Sequence, residues 1–409
     1  MKILIVGGGG REHALAWRLH QSPAVEQIYA SPGNPGIAQI ATCLPGPDYL
    51  ALAESLKIDL TVVGPEAPLA AGIVDQFQRH RLNIIGPTQA AAQLETSKIF
   101  AKQFFQRASI PTARSLQTSS YQEALDALRH FPYPVVVKAD GLLAGKGVII
   151  AHNQTEAKTA IENLGPALVI EEFLQGEEVS FIGLSNGETL IPFTPAQDHK
   201  RALNNDQGLN TGGMGAYTDS LILTSAQVED IVERITLPTL HQMKRAGTPF
   251  TGFLYAGLMM TAGGPKLLEY NVRLGDPETQ AILHTYPGDL AETLVSFVPP
   301  PAATTRSVCI TMAAENYPET PRTGDIIHGI AEAEGTGATV FHAGTKMVGN
   351  DLVTSGGRVL GVTASAATLR EAIDKAYTAV GKIHFRGMHY RTDIGHKGLA
   401  RAKISATGT

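Results

Sequence analysis

Residues Pro134–Gly147 read PVVVKADGLLAGKG. The run of valines marks a strand buried on both faces, yet it ends in Lys138. A lysine inside an apolar strand carries a desolvation penalty unless it meets an anion, so Lys138 reads as a ligand-binding residue rather than a structural one. The glycine-rich loop that follows presents Lys146. Two lysines flanking such a loop can clamp a polyphosphate. The run lacks the G-x-x-x-x-G-K-[ST] pattern, which argues against an ordinary P-loop fold.

Two stretches downstream extend this reading. VIEEFLQGEEVSF (Val169–Phe181) combines a strand, a short hinge and an acidic cluster. Its backbone can meet an adenine edge and a carboxylate can meet ribose hydroxyls, although the cluster alone reads as a solvated turn. In LLEYNVRLGDPETQ (Leu267–Gln280), Glu269 and Asn271 stand two residues apart on a strand and so share a face. An oxygen pair of this kind suits Mg²⁺, which takes one or two protein oxygens and leaves its other positions to phosphates and water. Arg273 continues on or close to that face, where a guanidinium can stabilise transferring phosphoryl charge. A surface strand with alternating polar residues is the plainer alternative, but the adjacent run Gly252–Met260 is nearly all apolar and reads as buried. Between them, AQDHKRALNNDQGLNTGGMGAY (Ala196–Tyr217) is polar, rich in Gly and Asn, and without periodicity. A long loop of that kind in a compact domain is functional or disordered. Asp198, His199, Lys200 and Arg201 open it and Thr211–Gly215 closes it; His199 is given no catalytic role.

Upstream, short apolar runs alternate with helical patterns: strands at Lys2–Val6, Gln27–Ala30, Asp59–Val63 and Asn83–Ile85, helices at Arg11–His20 and Leu69–His80. That alternation implies a parallel, doubly wound sheet. The first strand runs into Gly7–Gly10 and a helix start, a combination suited to an anion. It is not a dinucleotide fingerprint, because the third glycine of G-x-G-x-x-G would fall on Glu12 or His13 and the second strand ends at Ser31 without an acidic residue. A single phosphate group fits better. The turns PGNPG (Pro32–Gly36) and GPEAP (Gly64–Pro68) follow strands of the same sheet, so Asn34 and Glu66 can meet the same ligand; taken alone, GPEAP reads as the start of the next helix.

The chain has 409 residues, enough for two to four lobes, and 43% hydrophobic residues, enough for real cores. A net charge of −5 with no basic run argues against nucleic-acid or anionic-membrane partners. Cys43 and Cys309 have no metal-ligand or disulfide spacing, and no apolar stretch approaches the ~18–20 residues needed to span a bilayer. With no signal-peptide pattern at the N-terminus, the expectation is a cytoplasmic protein. Phe297–Thr305, with prolines at 299, 300 and 301, is the best linker candidate. Strands at Ser307–Ala313, Thr339–Ala343 and Arg358–Ala364 and a helix at Leu369–Ile383 follow it, and the pattern Gln227–Arg245 reads as one helix.

Lys138, Lys146, the Glu171–Leu174 hinge and the Glu269/Asn271 pair together resemble the ATP-grasp superfamily. GGREHAL (Gly9–Leu15), GPEAPL (Gly64–Leu69), KADGLLAGKGV (Lys138–Val148), QDHKR (Gln197–Arg201), NTGGMGAY (Asn210–Tyr217), FLYAGLM (Phe253–Met259), NVRLGDPETQ (Asn271–Gln280) and TGDIIHG (Thr323–Gly329), in this order, resemble the glycinamide ribonucleotide synthetase (phosphoribosylamine–glycine ligase) family, and VFHAGTK and SGGRVL extend the likeness. The resemblance implies an α/β architecture: an N-terminal doubly wound parallel sheet lobe (1–100) for the substrate phosphate, a central ATP-grasp α+β domain (101–300, with its small nucleotide lobe at about 114–187) and a small C-terminal α/β lobe (306–409). It implies ATP as co-substrate, bound by Lys98, Lys138, Asp140, Gly141, Lys146, Glu171, Glu172, Phe173, Leu174 and Glu178. Mg²⁺ or Mn²⁺ would sit on Glu269 and Asn271, with a single carboxylate because Phe253–Met260 has none. Arg273 and Lys146 would act in catalysis. Phosphoribosylamine and glycine would meet Gly8, Gly9, Gly10, Arg11, Glu12, Asn34, Gly36, Glu66, Asp198, Lys200, Thr211, Gly212, Gly213, Met214 and Arg273. The implied reaction runs through glycyl phosphate to an amide, ADP and phosphate, in a monomer or weak homodimer. Another ATP-grasp carboxylate–amine ligase, or a carboxylase acting on a phosphoribosyl substrate, is the alternative.

Overall fold

The computed structural model describes residues 1–143 and 147–407, with side chains through residue 403. Lys146 therefore lies outside the described residues. Strands β1 (Lys2–Gly7), β2 (Gln27–Pro32), β3 (Thr42–Cys43), β4 (Leu60–Val63) and β5 (Ile84–Ile85) form one parallel sheet in the order β3-β2-β1-β4-β5. Ile3 to Val6 of β1 are fully buried, as a sheet covered on both faces requires. The strand order reverses beside β1, so the turns after β1 and β4 open at the switch point where such sheets bind ligands. The helix expected over Leu69–His80 is two helices, Glu66–Ala70 and Ile73–Arg79. Gly72 divides them at φ +82°, a left-handed conformation that a helix interior does not accept.

Strands β6 (Ser115–Thr118), β7 (Val135–Ala139), β8 (Val148–Ala151) and β9 (Leu168–Glu172) form an antiparallel sheet, β6-β9-β7-β8. The helices Tyr121–Ala127 and Gln154–Leu164 cover one face, packing Ala124, Ala157 and Ile161 against Val135, Val137 and Ile170. Next come β10 (Glu177–Asn186), β11 (Leu190–Pro192), β12 (Ala196–Asp198), β13 (Arg201–Leu203), β14 (Gln207–Asn210), β15 (Gly215–Thr218), β16 (Thr251–Thr261) and β17 (Gly264–Asn271). Beyond the prolines lie β18 (Arg306–Ala313), β19 (Thr339–His342), β20 (Thr345–Val348), β21 (Asp351–Thr354) and β22 (Arg358–Ala366). One large sheet takes strands from both sides of the proline segment, in the order β17-β16-β10-β12-β15-β18-β22-β19. β15 and β18 are antiparallel neighbours from Gly215↔Ile310 to Thr218↔Ser307.

Two local expectations differ from the structure. The polar stretch Ala196–Tyr217 is not an open loop: it holds β12 and β15, with the β13–β14 hairpin between them turning at Asn204–Asp206. Its strands are too short for periodicity to show. Gln227–Arg245 is not one α-helix; Ser225–Ile231 passes through a wider π-turn at Val232–Thr236 into Leu237–Arg245. Pro238 stands at the start of the last segment, where its missing N–H interrupts the regular ladder. No helix among the described residues is long and apolar enough to cross a membrane.

Candidate active site

Between the four-stranded sheet and the β17 end of the large sheet lies a cleft of ≈ 780 Å³. Val136, Ile150, Leu174, Met259 and Leu268 line one part of it, an apolar surface suited to a planar base. Lys98, Lys138, Lys200 and Arg273 line the rest, around Glu269 and Asn271. Of the remaining residues singled out in the sequence, Gly141, Glu171, Glu172, Phe173, Glu178, Glu66, Asp198 and Thr211 also line it. Gly8–Glu12, Asn34, Gly36, Asp140 and Gly212–Met214 do not.

Lys138 is 7% exposed, and the anion that a buried lysine requires is Glu171, whose Oε2 lies 3.0 Å from its Nζ. Glu171, itself 1% exposed, is held from its other oxygen by Lys102 at 3.0 Å. Its carboxylate is thus enclosed between two ammonium groups, and only its backbone borders the hinge. Lys102 also donates to Thr112 Oγ1 at 2.7 Å, which in turn donates to the Leu267 carbonyl at 2.6 Å. Burial pushes the Lys102 ammonium down to about 8, against the pull of Glu171. Sequence reasoning missed Lys102; the available signal was its position four residues after Lys98, on the same helix face, among Phe100, Phe104 and Phe105. Asp140 accepts from Ser97 Oγ (3.1 Å) and the Ile99 N–H (3.2 Å), so it caps the helix Lys98–Arg107, while Lys98 Nζ donates to the Gly141 carbonyl at 2.8 Å. Glu172 pairs with Arg114 (2.9 Å) and Lys266 (3.4 Å), and Glu178 with Lys200 (3.3 Å).

Glu269 faces Gly257 across the β16–β17 ladder and Asn271 faces Tyr255, so both lie on one face of β17. The register slips between Gly257 and Leu258, a bulge placed directly beside Glu269. Glu269 has no ion pair among the described residues. Burial pushes its carboxyl up, but Lys200, Lys138, Lys98 and Arg273 outweigh burial and hold it below the usual range. A carboxylate kept ionised beside an amide oxygen fits a hard divalent cation. No cluster of three or more His, Cys, Asp or Glu that could hold a metal occurs among the described residues, so further ligands would have to come from phosphate and water. Arg273 is fixed by Glu95 (2.9 Å) and Glu66 (3.2 Å). Glu95, which also accepts the Val272 N–H at 2.8 Å, was not legible as a site residue in sequence.

The glycine turn after β1 is largely satisfied from within. Glu12 accepts the Gly9 N–H at 2.5 Å and Arg11 Nε at 2.7 Å, and Arg11 also donates to the Leu274 carbonyl at 2.9 Å. Asn34 Nδ2 donates to the carbonyls of Gly8 (2.9 Å) and His342 (2.8 Å), and its Oδ1 accepts the N–H groups of Gly36 and Ile37. Its amide ties the N-terminal lobe to the C-terminal one. Thr211 donates to the Lys200 carbonyl at 2.9 Å, and Met214 is buried under β18. Gly213, at φ +120°, passes over Asp198: a Cβ there would stand 2.8 Å from Oδ1. The C-terminal lobe holds the β13–β14 hairpin through Arg391, which is fully buried and pairs with Asp206 (2.9 Å) and Asp393 (2.7 Å).

Comparison with known proteins accounts for nearly the whole chain. The model of the phosphoribosylglycinamide synthetase N domain matches residues 1–95, that of the ATP-grasp (A) domain residues 96–279, and that of the C domain residues 307–397. The phosphoribosylamine–glycine ligase of Neisseria meningitidis serogroup B is 46% identical, over 98% of this chain and 100% of that protein. The enzyme of the same name from Escherichia coli K12 is 45% identical, over 98% of this chain and 99% of its own length. The crystal structure of phosphoribosylamine–glycine ligase from Thermotoga maritima superposes with a TM-score of 0.85 at 32% identity, covering 96% of this chain and 100% of that one.

Proposed function

This chain belongs to the phosphoribosylglycinamide synthetase family, and we propose that it joins glycine to 5-phosphoribosylamine in purine synthesis, converting ATP to ADP and phosphate. It is an ATP-dependent ligase. The observation that carries the reading is the cleft in which four cationic side chains surround Glu269, which has no ion pair among the described residues, beside an apolar surface. Polyphosphate demands the cations, the base demands the apolar part, and a divalent cation demands the carboxylate.

In this reading the adenine lies against Val136, Ile150, Leu174 and Met259, with the Glu171–Leu174 backbone at its edge. Lys138 and Lys98 hold phosphate oxygens. Glu269 and Asn271 would hold Mg²⁺ or Mn²⁺, which when bound neutralises the phosphate charge. The glycine carboxylate attacks the γ-phosphorus; the bond to the ADP oxygen breaks and glycyl phosphate forms. The sugar amine then attacks the acyl carbon and phosphate leaves. Arg273, oriented by Glu66 and Glu95, stabilises the anionic transition states. The ribose phosphate is assigned to the side bounded by Gly8–Glu12, Asn34, Gly36, Glu66 and the Thr211–Met214 turn, with Asp198 and Lys200 nearer the reacting atoms.

The experiment is phosphate release with each substrate omitted or exchanged. ADP and phosphate should form in equal amounts only when glycine and phosphoribosylamine are both present. Turnover with bicarbonate in place of glycine, or indifference to phosphoribosylamine, would overturn the assignment and leave an ATP-grasp ligase of another kind.

A further inference from the structure

Of the carboxylates that line the cleft, all but two are held in an ion pair by a lysine or arginine among the described residues. The exceptions are Glu269 and Asp198, and their surroundings push them apart. Glu269 is pulled toward the ionised form by four cations. Asp198 stands at the end of β12, half-buried, with Oδ1 accepting only the N–H of His199 at 2.7 Å. Its Oδ2 accepts no hydrogen bond among the described residues. Gly213 covers it so closely that any side chain there would touch both oxygens, at 2.8 and 3.1 Å. Thus a carboxylate with one oxygen free among the described residues lines the cleft, against the glycine turn that bounds the proposed ribose-phosphate side and at the place the proposed function puts nearer the reacting atoms. Two cleft carboxylates driven to opposite protonation behaviour are the pattern of an acid–base group beside a charge-holding one.

We propose that Asp198 is the base that takes the proton from the amine of phosphoribosylamine as it attacks the acyl phosphate. The C–N bond forms from the nitrogen lone pair, and the C–O bond to phosphate breaks with its electrons. The proton that the nitrogen must lose to become a neutral amide passes to Asp198 Oδ2, and solvent takes it after product leaves. The charged and titratable groups around Asp198 are Glu278 from the helix Glu278–His284, Tyr255 from β16, Cys309 from β18, Arg358 from β22, and Lys200. Burial, then Glu278, raises its carboxyl well above the usual range, against Lys200 and Arg358. A raised pKa brings a carboxylate nearer the strength that a base at neutral pH requires. Such a base is idle when protonated, so amide formation should rise with pH through its pKa.

This inference rests on the proposed function, so wild-type enzyme must first show dependence on both glycine and phosphoribosylamine; failure there overturns that reading rather than this one. The test is kcat/KM for phosphoribosylamine against pH in Asp198→Asn and Asp198→Glu enzymes. The Asn variant should lose about 100-fold or more, with KM for ATP and glycine within about twofold of wild type and the acidic limb of the profile gone. The Glu variant, whose carboxylate is displaced by one methylene, should recover part of the rate and the limb. An Asn variant within about fivefold of wild type, an acidic limb that persists in it, or a Glu variant no better than Asn overturns the assignment.

Discussion

Replacing Glu171 with Gln removes the one anion between two buried ammonium groups while changing almost no volume. In the native protein Lys102 and Lys138 each lie 3.0 Å from a Glu171 oxygen, and both are under 10% exposed. At an effective dielectric constant of about 20, each attraction is worth roughly 5–6 kcal/mol, most of it offset by desolvation. Removing the anion leaves both cations uncompensated, a change that costs about 3–5 kcal/mol at pH 7. For a chain of 409 residues, at about 2.1 cal/mol/K of unfolding entropy per residue, that lowers Tm by roughly 3–6 °C. The pH dependence identifies the cause. Lys102 already titrates at about 8 rather than 10.5, a penalty of about 3 kcal/mol. Its folded pKa is depressed, so the penalty is fully present below pH 8 and is relieved as pH rises toward 10.5, where the unfolded chain also gives up the proton. Glu171→Gln should depress Lys102 further and widen that window. Thermal melts by far-UV circular dichroism at pH 7 and pH 9 should show a deficit that narrows at the higher pH. A variant that melts with wild type at pH 7, or whose deficit grows with pH, refutes the reasoning.

Lys138→Ala should cost roughly 2–4 kcal/mol of transition-state stabilisation, read as a fall in kcat/KM for ATP in a protein that still folds. Glu269→Gln is nearly isosteric and should raise the Mg²⁺ concentration needed for half-maximal turnover while leaving the fold intact; a superimposable Mg²⁺ titration would move the metal elsewhere. Gly213→Ala forces a side chain onto Asp198 at a backbone φ of +120°, a strain of about 1–3 kcal/mol. It should raise KM for phosphoribosylamine well before that for ATP, measured by initial rates with each substrate varied in turn.

Most strands of the N-terminal sheet and the four-stranded sheet were legible because runs such as Lys2–Val6 and Pro134–Lys138 are short, apolar and bounded by glycine or proline; β3 and β6, two and four residues long and largely polar or partly exposed, were not. Glu269 and Asn271 were legible because a strand's twofold alternation fixes which side chains share a face, whatever surrounds it. The partners of these residues were not. Lys102 meets Glu171 across 69 positions of chain, and Glu95 meets Arg273 across 178; nothing local to either residue records the other. The glycine turn at Gly7–Gly10 suggested an anion, and the carboxylate that meets the Gly9 N–H is Glu12, three residues on. Its identity was visible in the sequence, but its direction depends on Gly64, whose missing side chain leaves Glu12 the room it occupies. The hairpin within Ala196–Tyr217 was hidden because β13 and β14 are three and four residues long. What fixes them is Arg391, contributed from the far end of the chain.

The pairing of β15 with β18 gives the prolines at 299–301 a role other than that of a joint. They form a strap between two parts of one continuous plate, because backbone hydrogen bonds cross where the chain composition suggests a break. A cut in the strap should leave both parts bound to one another through size-exclusion chromatography. A chain ended at residue 305 would instead bare the rim of Gly215–Thr218 as an unpaired edge, a template for other chains, and should self-associate rather than remain a shorter soluble enzyme.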